Sequence, residues 1–456
     1  MVKVVLFGTH PSNANGYSKV VHSISKVIGS LYSSSIELVI FGVQHNESTV
    51  ASDALNRNSL VNVTIIDGAK FEGGGIRNDF DEKKQGYGIG SLPTFIDVFK
   101  PDYLIIYNSP DVIIPVQNIV KQHCTHSVKM IPYIDMVYEG EDPSHYPILA
   151  QNSWGLAFFT TFWRDMFIEK CPSAKDMPTF IIRHGVDQEK NCVLTKHSSL
   201  AHPASFRDLA RSYFDLPSDA FVFGNFNRNN LRKRLDLNVQ AFAKFILDWV
   251  DNGSEGRVPY MLFGQRIRGA WDLKAVYVHA IEDAYKHKHG SSIDQDLLAT
   301  FAKHFKSLKR SQFYSDFEIN MLYHCTDVGI NTCVGEGWGL CNYEHAWLGY
   351  PQIVPELGGF KEWCLSDHVT MVPPSISIYD PADESSTHSG IKVQFKMINP
   401  CEFASEMYRM YTKFSNSQLP ITIDMTLSEN MTGFYTWESI VQDLVNGLCV
   451  DTSVLN

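Results

Sequence analysis

Short, continuously apolar runs punctuate the first half of the chain. "KVVLFG" (3–8), "DYLIIYN" (102–108), "HSVKMIPYI" (126–134), "GLAFFTT" (155–161) and "TFIIRHG" (179–185) are rich in β-branched and aromatic residues and bounded by Pro, Gly, Asp or Asn. Such runs predict strands. Because they are continuous rather than alternating, they predict a parallel sheet covered on both faces. Helical patterns fill much of the space between them. The first runs from Tyr17 to about Ile28, after the polar loop "THPSNANG".

Residues 187–219 break this rhythm. "QEKNCVLTKHSSLAHPAS" is polar and without periodicity, and "FDLPSDA" closes it with a Pro-Ser-Asp turn. A second series then begins with "FVFGNFN" (221–227) and continues through "YMLFG" (260–264), "TDVGINT" (326–332) and "QIVPE" (352–356). After the first of these, Leu235, Val239, Phe242, Phe245 and Trp249 recur at helical spacing. The pattern predicts two α/β halves in tandem. "SISIYDPADESSTHSG" (375–390) reads as an exposed polar insertion. "FYTWESIVQDLVNGL" (434–448) reads as an amphipathic helix, with Trp437, Ile440, Val441, Leu444 and Leu448 on one side.

Composition narrows the classes. The 456 residues exceed one ordinary core, so two domains are expected. A net charge of −11 argues against a general nucleic-acid binder. Nine cysteines without a CxxC pair suit free thiols in a reducing compartment. Neither a signal peptide nor a membrane-spanning run is expected. The expected location is therefore cytoplasmic, with at most a weak peripheral membrane contact.

Two segments carry candidate chemistry. In "NRNNLRKRLD", Arg228 and Lys233 stand with Arg232 and Arg234 between a strand and a helix. Cations at a helix start oppose its positive dipole end, so a plain solvated loop is a strained explanation. Guanidinium and ammonium groups there suit a diphosphate. In "CVGEGWGLCNYEHA" (333–346), Glu336 and Glu344 bracket a glycine turn that leads into a helix. The glycines free backbone N–H groups, the helix start favours an anion, and Glu344 can accept from ribose hydroxyls. For either glutamate alone, an ordinary loop acid complementing the helix dipole is the better explanation.

"GEGWGLCNYEHAWLGYPQIVPELGGFKEW" resembles the E-x7-E segment of retaining nucleotide-sugar glycosyltransferases of GT-B fold, family 4 in particular. "NRNNLRKRLDLNVQAF" is similar to that family's diphosphate-binding segment, "IIRHGVD" (181–187) to its "PHGVD" element, "FGTHPSNANGYSKVVHSI" to its first loop and "FYTWESIV" to its last helix. The resemblance implies two Rossmann-like domains facing each other across a cleft: residues 1–200 on the acceptor side and 201–430 for the donor. The helix of 431–456 crosses back to the first domain. By the same resemblance, Arg228 and Lys233 bind the diphosphate and stabilise it as it leaves. Glu336 and the backbone of Gly337, Trp338, Gly339 and Leu340 contact the transferred sugar and its phosphates, and Glu344 holds the ribose. Gly16 and Tyr17 face the phosphates and the acceptor from the opposite lobe. His184 lies near the cleft, and Glu362 in "GGFKEW" matches a further glutamate.

Where many family members carry a His-Asp pair, this chain has Ile134-Asp135, leaving Asp135 as a cleft or loop acid. The implied activity moves a hexose with retention from a nucleotide sugar to a hydroxyl of a glycan or other acceptor, without metal or other cofactor. In such retaining enzymes the departing phosphate takes the acceptor proton. Family frequency points to GDP-mannose as donor. The rivals are a GT-B-fold epimerase or phosphorylase and a non-catalytic nucleotide-sugar-binding protein. The D-x-D pairs Asp79/Asp81 and Asp294/Asp296 lie in charged stretches and read as loop or helix-start acids. "QHCTH" (122–126) and "KHKHG" (286–290) lack a second ligand pair at metal-site spacing and read as surface.

Overall fold

The computed structural model describes residues 1–45, 60–187, 203–264, 269–308, 314–364, 368–379, 393–415 and 436–450. Its first lobe is built on strands β1 (Val2–Thr9), β2 (Ile36–Val43), β3 (Val63–Asp67), β4 (Tyr103–Asn108), β5 (Lys129–Ile134), β7 (Leu156–Phe158) and β8 (Thr179–Ile181), with a short β6 (Gly140–Glu141) outside that sheet. All seven pair in parallel, in the order β3-β2-β1-β4-β5-β7-β8. β1 is central, with Val4 opposite Leu38 on one side and Tyr103 on the other. The uninterrupted apolar runs are explained by this position, since Val4, Val5, Leu6 and Phe7 are buried on both faces of the sheet.

The second lobe repeats the plan. Strands β9 (Phe221–Asn225), β10 (Pro259–Phe263), β11 (Phe305–Ser307), β12 (Val328–Ile330), β13 (Gln352–Pro355) and β14 (Val369–Val372) form a parallel sheet in the order β11-β10-β9-β12-β13-β14. Both sheets therefore reverse direction next to their first strand, at β1/β4 and at β9/β12. Open α/β sheets bind ligands outside the carboxyl ends of the strands at that switch point. The helix Leu235–Asp251 buries the predicted stripe, with the Phe245 ring 5.2 Å from that of Phe223 on β9.

The last helix, Trp437–Val450, packs on the first lobe. Tyr103 donates to the carbonyl of Leu448 at 3.2 Å, and Tyr32 donates to Gln442 Oε1 at 2.5 Å. A third, antiparallel sheet also joins the lobes. In it β15 (Ile376–Tyr379) pairs with β16 (Val393–Met397), and β16 pairs with β6 of the first lobe. The expected polar insertion thus begins as an exposed strand, while 380–390 lie outside the described residues. Residues 188–202 of the polar junction also lie outside them, and Pro203–Tyr213 is a helix. Among the described residues, no helix is long and apolar enough to cross a membrane.

At the amino ends of β9 and β12, away from the switch point, Asp327 is fully buried among Arg207, Arg211 and Arg257. Its carboxylate also accepts from the Val222 amide at 2.8 Å. Despite burial, the three guanidiniums hold its carboxyl below the usual range. Further guanidinium N–H groups go to the carbonyls of Thr326, Cys325 and Asp219. This cluster ties the Pro203–Tyr213 helix to the second sheet. Asp327→Ala is expected to lower stability by about 3–5 kcal/mol, the range for stripping one partner from a buried ion pair. Urea denaturation measures this, and a loss under about 1 kcal/mol, the size of an exposed pair, would contradict it.

Candidate active site

The carboxyl ends of the two sheets enclose a cavity of about 570 Å³ lined by both lobes. From the first come Gly16, Tyr17 and Lys19 after β1, Tyr107 on β4, Asp135 after β5 and His184 after β8. The second contributes Arg228, Arg232 and Lys233 after β9, and Glu336 through Leu340 and Glu344 after β12. All but one of the site residues inferred from sequence line this one space. Glu362 does not.

Glu336 is buried and organises the second-lobe wall of the cavity. Lys233 Nζ is paired with its Oε2, and Arg232 lies 3.4 Å from its Oε1. These cations overcome burial and hold its carboxyl below the usual range. Arg232 also donates to the carbonyl of Gly335 at 2.6 Å, which fastens the loop after β9 to the glycine turn. Arg228 is exposed on the cavity wall.

The turn itself is set by close approach. A Cβ on Gly337 would lie 2.7 Å from Asp135 Oδ1 and 2.8 Å from the Phe159 ring, both on the first lobe. Gly339 has φ +90°, which L side chains rarely adopt, and it caps the helix Leu340–Trp347. Two indoles hold the turn's carbonyls. Trp163 Nε1 donates to Gly337 and Trp363 Nε1 to Trp338, each at 2.9 Å. With those carbonyls fixed, the amides at the start of the Leu340 helix are left for an anion, since a first helical turn has no internal acceptors.

Glu344 lies one turn into that helix and is 4% exposed. Tyr323 donates to its Oε2 at 2.9 Å, and Lys19 of the opposite lobe donates to its Oε1 at 2.5 Å. The facing wall is aromatic and acidic. Tyr17 donates to Asp135 Oδ2, and its ring lies 5.0 Å from that of Tyr107. Burial raises the Asp135 carboxyl above its usual range, while the Tyr17 hydrogen bond lowers it.

His184 sits in a box of Tyr107, Tyr133, Phe159, Trp338 and Trp437 rings. Both its ring nitrogens are buried without a protein partner. Burial pushes its pKa down to about 3, so the ring is neutral near pH 7 and presents one donor and one acceptor.

Glu362 instead clamps the lobes, pairing with Arg183 at 2.7 Å and accepting from the Thr161 hydroxyl at 2.8 Å. Glu139 is a second clamp that sequence reasoning missed. It accepts from Lys361 at 2.7 Å, Lys396 at 2.9 Å and the Gly358 amide at 3.0 Å. Lys19 and Tyr323 were also missed: Lys19 lies inside the segment that resembles the family's first loop but was not singled out, and no motif covers Tyr323. The set-aside acids serve locally: Asp81 accepts the Gly90 amide, and Asp294 caps the helix Gln295–Ala302.

No family model and no curated protein matches the sequence. Solved structures do match over nearly the whole chain. HepE of Anabaena, in complex with UDP and glucose, aligns with a TM-score of 0.62 at 13% identity, covering 99% of this chain and 100% of that one. Sucrose-phosphate synthase of Thermosynechococcus elongatus gives 0.62 at 12%, covering 100% of both. The E. coli trehalose-6-phosphate structure bound with UDP-2-fluoro glucose gives 0.58 at 10%, covering 98% of both. The fold is GT-B. In GT-B terms, the cavity is the space between the lobes, walled by the strand ends of both.

The neutral, buried His184 has a measurable consequence. Between about pH 6.5 and 3 the unfolded chain carries a proton there that the folded chain refuses. Stability therefore rises with pH through that window and is lost on acidification. His184→Gln removes this titration. Its stability should fall less steeply on acidification than the wild type's, by up to about 1.4 kcal/mol per pH unit in urea melts. Parallel slopes would contradict the assignment.

Proposed function

We propose that the chain transfers a hexose, with retention, from a nucleoside diphosphate sugar to a hydroxyl acceptor, as in glycan assembly. The observation that carries this reading is the sorting of charge within one cavity. Arg228, Arg232 and Lys233 stand beside the open amides of the Leu340 helix, and Glu344 stands one turn deeper. That arrangement suits a diphosphate flanked by the vicinal hydroxyls of a ribose. Structural likeness to proteins solved with UDP and with UDP-2-fluoro glucose supports the same class of ligand.

The chemistry follows from where charge develops. Breaking the anomeric bond puts negative charge on the diphosphate and leaves an oxocarbenium-like sugar. Fixed cations and N–H groups aimed at the leaving group lower that barrier, each donor contributing about 3 kcal/mol. These cations supply the charge that a divalent ion supplies elsewhere, so transfer is proposed to be metal-independent. The leaving phosphate takes the acceptor proton. Asp135, held by Tyr17, and the neutral His184 face the sugar and position its hydroxyls. Glu336 orients Lys233 and Arg232 rather than meeting the sugar alone.

The test is transfer or donor hydrolysis by the purified protein, assayed with GDP-mannose and UDP-glucose in the presence of a chelator. Turnover of either supports the reading, and binding without turnover would reduce the protein to a nucleotide-sugar receptor. Arg228→Ala removes a cation that is exposed on the wall. It should lower turnover at least ~100-fold with an unchanged melting temperature. Full activity in the folded variant would contradict the role assigned to Arg228.

A further inference from the structure

Four polar side chains are buried between the second sheet and the Leu340 helix, beneath the glycine turn. Asn331 follows β12, Gln352 opens β13, and Asn342 and His345 lie on the helix; none is more than 2% exposed. They form one chain of hydrogen bonds. The Asn331 amide donates to Asn342 Oδ1 at 2.9 Å, Asn342 to Gln352 Oε1 at 3.0 Å, and Gln352 to His345 Nδ1 at 2.9 Å. His345 Nε2 lies 2.9 Å from the Thr326 hydroxyl. Gly329 on β12 makes room for the chain, since a Cβ there would overlap both Gln352 and His345.

The chain runs in one direction, set by backbone groups. Gln352 Nε2 also donates to the Tyr350 carbonyl at 2.7 Å, so its nitrogen and oxygen cannot change places. Its Oε1 is thereby turned to Asn342, which must donate to it and accept from Asn331. Asn331 Oδ1 in turn accepts from the Cys333 amide at 2.9 Å. The bond between Asn331 and Asn342 closes the base of the turn that carries Glu336, Gly337 and Gly339. It also ties down the first turn of the Leu340 helix, whose amides have no acceptor within the helix. Apolar side chains of matching shape would serve stability about as well, so what these hydrogen bonds add is a single permitted arrangement. We propose that Asn342 is a positioning residue: through Asn331 and Gln352 it fixes Glu336 and the helix-start amides where the donor's diphosphate is held. This rests on the nucleotide-sugar reading and deepens it. Neither Asn342 nor Gln352 lines the cavity, so each acts through the turn. Glu344 is held separately, by Tyr323 and Lys19, and the nucleoside half of the site depends less on the chain.

The test is binding of UDP and GDP by calorimetry, and of uridine and guanosine by NMR titration, to the wild type, Asn342→Leu, Gln352→Met and the double variant. All are measured well below each variant's melting temperature. Each single variant should bind the diphosphate about tenfold more weakly, the worth of one hydrogen bond, with the nucleoside changed by less than about twofold. The double variant should lose no more than the weaker single, because the two residues act through one contact. Gln352→Met carries the test if Asn342→Leu does not fold. Equal weakening of nucleoside and diphosphate, additive losses in the double variant, or full affinity in the folded variants would overturn the positioning role while leaving the donor site standing. If neither diphosphate binds the wild type, the donor reading falls and the positioning role falls with it.

Discussion

A carboxylate removed from water must be met by positive charge, and the burial of Glu336 imposes that condition on the second-lobe wall of the cleft. Lys233 and Arg232 satisfy it, and in doing so they bind the segment after β9 to the turn after β12. The cations are thereby held at one point against a low-dielectric wall. Electrostatic stabilisation of a leaving group depends on this kind of prior placement, because little reorganisation is left for the moment of reaction. Arg228, exposed on the wall, and the start of the Leu340 helix line the same cavity beside this paired framework.

The lobes are brought together by several contacts of different kinds. Glu139 and Glu362 each take donors from across the divide, the indole of Trp163 holds the carbonyl of Gly337, and β6 extends the β15–β16 pair. The terminal helix adds a cover over the first lobe, and its Trp437 ring lies 6.2 Å from His184. Contacts of this number keep the aromatic wall of the first lobe beside the glycine turn of the second. Only the absence of a side chain at Gly337 lets Asp135 and Phe159 come so near.

Much of this fold was legible because interior strands covered on both faces are apolar along most of their length, as β1, β4, β5 and β9 are. The run "IELVIFGV" became β2 although it had not been singled out. β3 is only half-buried, so its signal was weaker. β15 was read as part of a polar loop because its four residues are exposed and it pairs with a strand well downstream, Tyr379 opposite Gln394 at the nearest. In the site, the cations after β9 were visible as a charge cluster between a strand and a helix, whereas the two glutamates, each alone better read as an ordinary loop acid, were singled out by the resemblance to the GT-B segments. Lys19, Tyr323 and Glu139 act across long sequence separations, and nothing near them in the chain marks the partner. Glu362 was placed by its motif, yet its contacts are with Arg183 and Thr161, a pairing that only the packed lobes define.

The proposed function requires the cleft to be a preformed, metal-independent site for a nucleoside diphosphate. Thermal unfolding with UDP, GDP, ADP and their hexose conjugates, run with and without a chelator, addresses that directly. A ligand that binds only the folded state raises the melting temperature in proportion to the logarithm of its excess over Kd. Stabilisation by the diphosphates and sugar conjugates of one base, unchanged by the chelator, is the predicted result. No stabilisation by any nucleotide, or stabilisation that appears only with added divalent metal, would contradict it.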